Sequence, residues 1–177
     1  MAVVQWILDP THSEIQFKIR HLMIANVTGK FTRYAVDAKT EGEDFMTAKI
    51  KFSAEIDSVD TGNEQRDGHL KSPDFFDAAK YPVLTFVASR YEKVDNDGSY
   101  ELYGDLTIRD VTKSVKLDVE FGGIIKDPWG NTRAGFSING KINRKEFGLA
   151  WHAVTETGGL VASDEVRIHC NVELFRK

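Results

Sequence analysis

Apolar side chains occupy alternate positions through at least six segments of this chain. Ala48, Ile50, Phe52, Ala54 and Ile56 alternate with Lys49, Lys51, Ser53 and Glu55, and Val115, Leu117, Val119 and Phe121 alternate with Lys116, Asp118 and Glu120. A two-residue period puts one set of side chains on a dry face and the other in water, the pattern of a half-buried β-strand. So many dry faces are covered together only if the sheet curls around a shared apolar interior. The sequence therefore predicts an all-β chain, an antiparallel eight-stranded β-barrel with a short helical insertion near residues 61–79.

Strand candidates lie near Val4–Leu8, Ser13–Arg20, Val27–Ala38, Thr47–Ile56, Val83–Glu92, Ser99–Ile108, Ser114–Ile125, Thr132–Asn143 and Glu165–Phe175. Asn96, Asp97 and Gly98, the stretch Glu41 to Asp44, and Asp127 to Asn131 with Pro128 and Gly130 supply turn chemistry between them. Near Phe31 to Tyr34 the apolar parity slips, which predicts a bulge or a sharp bend. Only Asp60 to Tyr81 departs from the rhythm. Thr61 or Asn63 can cap a short helix there, Asp67 and Lys71 stand one helical turn apart, and Pro73 opens a second turn through Phe75 and Phe76. The insertion is expected to close one end of the barrel, and no linker or repeat divides residues 1–177.

Composition narrows the partners. The 23 basic and 27 acidic side chains are dispersed and give a formal net charge of −4, so nothing favours nucleic acid. The segment Met1 to Pro10 lacks a basic leader and a small-residue cleavage site and reads as the first strand, so a cytoplasmic location is expected. No apolar run approaches the roughly 18–20 residues that span a bilayer. The single cysteine, Cys170, falls on the apolar side of the last strand and is expected to be an inert core thiol.

Several segments run to about ten residues, longer than the usual five or six, and predict a tall barrel. Eight strands enclose a space that is either filled by side chains or admits one slender ligand, and the sizes of the inward residues decide which. Ala48, Ala54, Gly104, Gly140 and Cys170 are small inward candidates, interspersed with Phe17, Phe52, Phe86 and Phe136. Two polar residues continue dry faces: His21 follows Ile15, Phe17 and Ile19, and Arg144 follows Phe136, Ile138, Gly140 and Ile142. Either can meet the polar head of an amphiphile, or pair with backbone carbonyls or with Glu146 or Glu156 and merely close the barrel.

Other constellations are weak. Asp67 and His69 do not share a helical face, so they make a poor acid–base dyad. The five histidines show no metal-ligand spacing, and no Gly-x-Ser-x-Gly elbow frames a nucleophile. Neither a metal nor a cofactor is expected. Trp129, in a proline turn, is expected to anchor its loop, and Trp151, near the rim, to touch ligand.

The ordered words of the chain resemble one family over essentially its whole length. Trp6, Asp9, Pro10, His12 and Ser13 precede Phe17, Arg20, His21 and Leu22; Asp60, Thr61, Gly62, Arg66, Asp67, His69 and Leu70 precede Asp74, Phe75, Phe76, Tyr81 and Pro82. Gly104 to Ile108 are followed by Asn143, Arg144, Phe147, Gly148 and Trp151. This pattern is similar to the YceI-like, polyisoprenoid-binding family, with Asp110 where that family usually has glycine and Glu146 in place of its common aspartate. The resemblance implies an extended lipocalin-like barrel around a long apolar ligand, a homodimer, and no established catalytic residues. The expected function is noncatalytic binding, storage or transport of a polyisoprenoid, quinone precursor or fatty-acid-like amphiphile. Phe17, Ile19, Phe52, Phe86, Leu106, Phe136 and Ile138 are expected around the hydrocarbon, with His21, Arg144 and Trp151 near the head group. The rivals are an enzyme using His21 or His69 on a lipid-like substrate, and a filled barrel acting through its outer surface.

Overall fold

Strand parity and pairing agree closely enough that the sheet closes on itself. The computed structural model describes residues 2–22, 24–149 and 162–177. The strands are β1 (Val3–Leu8), β2 (Glu14–His21), β3 (Ala25–Phe31), β4 (Tyr34–Glu41), β5 (Asp44–Glu55), β6 (Val59–Asp60), β7 (Val83–Lys93), β8 (Ser99–Ile108), β9 (Val111–Lys126), β10 (Thr132–Asn143) and β11 (Glu165–Arg176), with one helix, α1 (Glu64–Lys71). Pairing runs β1-β4-β5-β7-β8-β9-β10-β11 and returns from β11 to β1. All the pairs are antiparallel, so the chain forms the expected closed eight-stranded barrel with one short helix. The fold leaves almost no free edge, which is the usual answer to the exposed hydrogen-bonding groups of an open sheet.

Strand β11 serves two partners in turn. Leu174 to Arg176 pair with β1, and Arg167 to Asn171 pair with β2. Between β1 and β2 the chain turns a corner at Asp9, whose carboxylate accepts from the Thr11 backbone N–H at 3.1 Å. Glu173 fastens that corner: its carbonyl accepts from the Asp9 N–H at 2.9 Å, and its own N–H donates to Ser13 Oγ at 3.0 Å.

The parity slip near Phe31 to Tyr34 is a true break. The single strand expected over Val27–Ala38 divides into β3 and β4, with Thr32 N–H donating to the Ser58 carbonyl and Glu55 N–H to the Arg33 carbonyl. Three register shifts interrupt the ladders, between Lys39 and Glu41, Ala88 and Arg90, and Gly135 and Phe136. Each bends its strand and resets which face the following residues present.

Asn63 caps α1 by accepting from the Arg66 N–H at 3.0 Å. Asp67 does not make the Lys71 pair that its spacing suggests. Its carboxylate instead accepts from the Thr61 N–H at 2.9 Å and the Thr61 hydroxyl at 2.6 Å, charge-assisted bonds that a flexible, solvated lysine does not displace. Leu70 is the one buried side chain of the helix, and Phe75 and Phe76 follow it into the interior. No helix among the described residues is long and apolar enough to cross a membrane.

Candidate functional site

An apolar cavity of about 210 Å³ lies inside the barrel. Its wall extends from Leu70, Phe75 and Phe76 at the helical end to Ala38, Phe45 and Leu174 at the other. That volume is below the roughly 300–1,000 Å³ usual for compact small-molecule sites. A space so small that still reaches both ends of a tall barrel is slender.

Glycines keep it open. A Cβ at Gly29 would lie 2.3 Å from Phe17 Cζ, one at Gly104 2.5 Å from Phe86 Cζ, and one at Gly140 2.6 Å from Leu117 Cδ2. The bare backbone at these positions lets large side chains fold against the wall instead of across the axis. Gly104 and Gly140 are thus small for the reason the sequence suggested, although they act through the ring or methyl that rests on them.

The end opposite the helix is closed by aromatic side chains. Trp6 is 1% exposed and donates its indole N–H to Thr40 Oγ1 at 2.8 Å. Phe45 sits 4.8 Å from both Trp6 and Phe136, ring centre to ring centre, and Phe121 stacks on Phe136 at 5.2 Å. Just outside, Arg133 joins Asp9 and Asp127, each at 2.6 Å, and Glu173 at 3.3 Å. Burial alone raises the Asp9 pKa, but hydrogen bonds from Thr11, His12 and Arg133 outweigh it and hold the carboxyl well below the usual range. Asp9, His12 and Glu173 are also the one group among the described residues with metal-ligand spacing. The Arg133 guanidinium bonds both of its carboxylates and Asp127 as well.

The helical end is closed by segments outside the barrel ladder. Phe31 meets Phe17 at 5.7 Å and Phe76 at 6.1 Å. Arg109, at the β8–β9 turn, adopts a left-handed backbone (φ 56°) and donates to the carbonyls of Phe75 and Gly148, both at 3.2 Å. Asp110, the next residue of the turn, is not in that left-handed region.

Arg144 is 1% exposed and borders the cavity. Its Nε donates to the Ser163 carbonyl at 2.8 Å and its Nη1 to the Leu149 carbonyl at 2.6 Å. Nη2 lies 3.8 Å from Asp164 Oδ1. Burial pushes the Arg144 pKa down, partly countered by Asp164. Arg144 thus pairs with backbone carbonyls while bordering the cavity, and Asp164 is a carboxylate near it; Glu156, which the sequence also offered as a partner, lies outside the described residues.

Eight of the ten expected ligand-binding residues line the cavity: Phe17, Ile19, Phe52, Phe86, Leu106, Phe136, Ile138 and Arg144. His21 does not. It is exposed at the end of β2, because strand parity carries it past the rim, where its backbone bridges to Ala162. Trp151 lies outside the described residues. Trp129 corrects a further expectation: the residue is 81% exposed, and the loop is anchored instead by Asp127, which accepts from the Trp129 and Asn131 N–H groups. His69 hydrogen-bonds with Asp74 at 2.9 Å and is absent from the cavity wall, as is Asp67. Cys170 borders the cavity as a buried thiol, its pKa pushed up by burial to about 11, so it is held protonated and inert at neutral pH.

Sequence reasoning passed over Phe45, Tyr100, Phe75 and Phe76 as wall residues. Phe45 is out of step with Ala48, and the irregular pairing between Lys39 and Glu41 brings both inward. Phe75 and Phe76 lie in the insertion, where no periodicity signals burial.

A YceI-like domain matches residues 6–174. This chain belongs to the YceI-like family. A UPF0312 protein of Staphylococcus aureus is 35% identical over 166 residues, covering 93% of this chain and 94% of its own. The crystallised YceI protein of Campylobacter jejuni is 39% identical, with a TM-score of 0.77 over 89% of this chain and 90% of that one. A domain from Saccharophagus degradans, described as polyisoprenoid binding, shares the fold at 17% identity, with a TM-score of 0.69 over 97% of this chain and 98% of its own. The YceI-like barrel described here has the architecture of these structures.

Proposed function

We propose that this YceI-like protein is a noncatalytic carrier or store for a long, slender amphiphile, an isoprenoid, quinone precursor or fatty-acid-like lipid. The observation that carries the reading is the slender cavity, walled almost entirely by hydrocarbon from the helical end to the Trp6 end. Hydrocarbon packs along Phe17, Phe52, Phe86 and Leu106, and the polar group sits toward Arg144. Each buried methylene contributes roughly 0.8 kcal/mol before ordering costs, so chain length governs affinity more than head-group chemistry does. The residues raised for acid–base work, His21 and His69, stand off the cavity wall, which favours binding over turnover. A homodimer belongs to the same proposal and is read by light scattering.

The test pairs mass spectrometry of an organic extract of the purified protein with a binding series of homologous chains. The expected result is a stoichiometric long-chain species and affinity that rises with length, by at most about fourfold per methylene. Equal affinity for short and long homologues would remove the proposal.

A further inference from the structure

The β2–β3 hairpin stands at the Arg144 end of the barrel with an apolar tip and a cationic stem. At the tip, Ile24 is 80% exposed and Leu22 38%. Leu22 also holds a left-handed backbone (φ 52°), a conformation that favours glycine or asparagine over a large aliphatic residue. From Ile15 to Val36 the sequence contains Lys18, Arg20, Lys30 and Arg33 and no Asp or Glu, in a chain of net charge −4.

Arg33 pairs with Glu55. Lys18, Arg20 and Lys30 are exposed and make no ion pair among the described residues. The register sets Lys18 opposite Thr28, Arg20 opposite Asn26 and Lys30 opposite Gln16, on the outer face of the ribbon. Arg167 lies beside Lys18 but pairs with Glu165, and Asp60 lies beside Lys30, so the positive charge of the face rests on Lys18 and Arg20 toward the tip. The root of the hairpin is bonded to the residues that hold Arg144. The Arg20 N–H donates to Ser163 Oγ at 3.1 Å, and the Ser163 carbonyl accepts from Arg144 Nε at 2.8 Å.

We propose that this hairpin docks the protein on an anionic lipid surface. Leu22 and Ile24 enter the boundary between head groups and acyl chains, and Lys18, Arg20 and Lys30 meet the head groups, the pairing of apolar insertion with basic flanks that interfacial anchors use. Docked this way, the helical end of the cavity faces the bilayer, and the inference rests on the carrier reading for that purpose. The competing apolar tip, Ile125 and Trp129 on the β9–β10 hairpin, belongs to the opposite end, where the nearest charges are of both signs, Lys126 and Arg133 with Asp127, and Arg133 pairs with Asp127.

Vesicle flotation of the whole protein tests the docking, with phosphatidylcholine alone or mixed with phosphatidylglycerol. The protein is expected to float with the mixed vesicles and to be released by salt. The triple variant K18Q, R20Q and K30Q is expected to weaken binding about fivefold per charge, the double variant L22S and I24S to weaken it more than tenfold, and W129A to leave it unchanged. No flotation on mixed vesicles, equal flotation on both kinds, indifference to both hairpin variants, or loss in W129A alone would each overturn the inference. Uptake of a detergent-dispersed long-chain fatty acid is measured in parallel and is expected to be unchanged in the hairpin variants. Flotation reads docking and uptake reads the carrier function, so the failure of one is distinguishable from the failure of the other.

Discussion

At the Trp6 end the barrel is closed by side chains of its own strands, whereas at the Arg144 end it is closed by α1, the turn carrying Phe75 and Phe76, and the loop around Phe147 and Leu149. The Trp6 closure is inseparable from the sheet, because Trp6, Phe45, Phe121 and Phe136 are also what pack its strands together. The other closure is made by segments outside the ladder, whose buried Leu70, Phe75 and Phe76 are held in place with the help of the guanidinium groups of Arg109 and Arg144 on backbone carbonyls. One end is therefore expected to open only with the sheet, and the other to loosen locally while the barrel stays intact. On the carrier reading proposed above, a ligand is expected to enter at the Arg144 end.

The contrast can be broken or sharpened by substitution. Trp6→Ala should cause the largest loss, about 3–5 kcal/mol in urea denaturation, since it empties a fully buried site among packed rings. Arg144→Leu should cost about 3 kcal/mol by leaving carbonyls without donors. Hydrogen exchange should then rise at Leu149 and Ser163 while Trp6 and Phe45 stay protected; an equal rise at both ends would remove the distinction between them. Gly104→Ala should cost about 1–3 kcal/mol through overpacking against Phe86 and the Val87 carbonyl, both 2.5 Å from the added Cβ, and, where the ring is pushed toward the axis, weaken the longest ligands more than the shortest. Arg109→Ala should cost about 1 kcal/mol, and stopped-flow uptake should be faster with affinity little changed.

The smallest effect is expected from pH at the Trp6 end. Asp9 binds its proton less readily folded than unfolded, so its contribution is complete above the ordinary carboxylate pKa of about 3.9 and declines as the pH falls below it. The urea midpoint of Asp9→Asn should therefore change less between neutral and acidic pH than that of the parent.

Alternation made the barrel legible, because each strand has one face in water and one against the core. Phe17, Phe52, Phe86 and Leu106 could be assigned to the cavity for that reason. Parity fails where a ladder shifts. Phe45 and Ala48 are both buried although three positions separate them, and Tyr91 reaches the interior only because the pairing of β7 and β8 shifts between Ala88 and Arg90. It fails also at strand ends, where His21 keeps its phase but has no wall left to face. The burial of Phe75 and Phe76 depends on how an irregular segment docks, and the partners of Arg144 include a carbonyl 19 residues away, so neither leaves a local signal.

The seam of the barrel joins residues near both ends of the sequence, with Trp6 opposite Arg176 and Leu8 opposite Leu174. On a ribosome, β1 and the earlier strands emerge long before β11, and the nascent sheet waits with unpaired edges until the last strand arrives. Closure is thus a late, long-range event of the kind that slows folding and invites edge-to-edge association. Truncation before Leu174 would leave β1 without that partner while β11 still pairs with β2, opening the seam at the Trp6 end and exposing an aggregation-prone edge there.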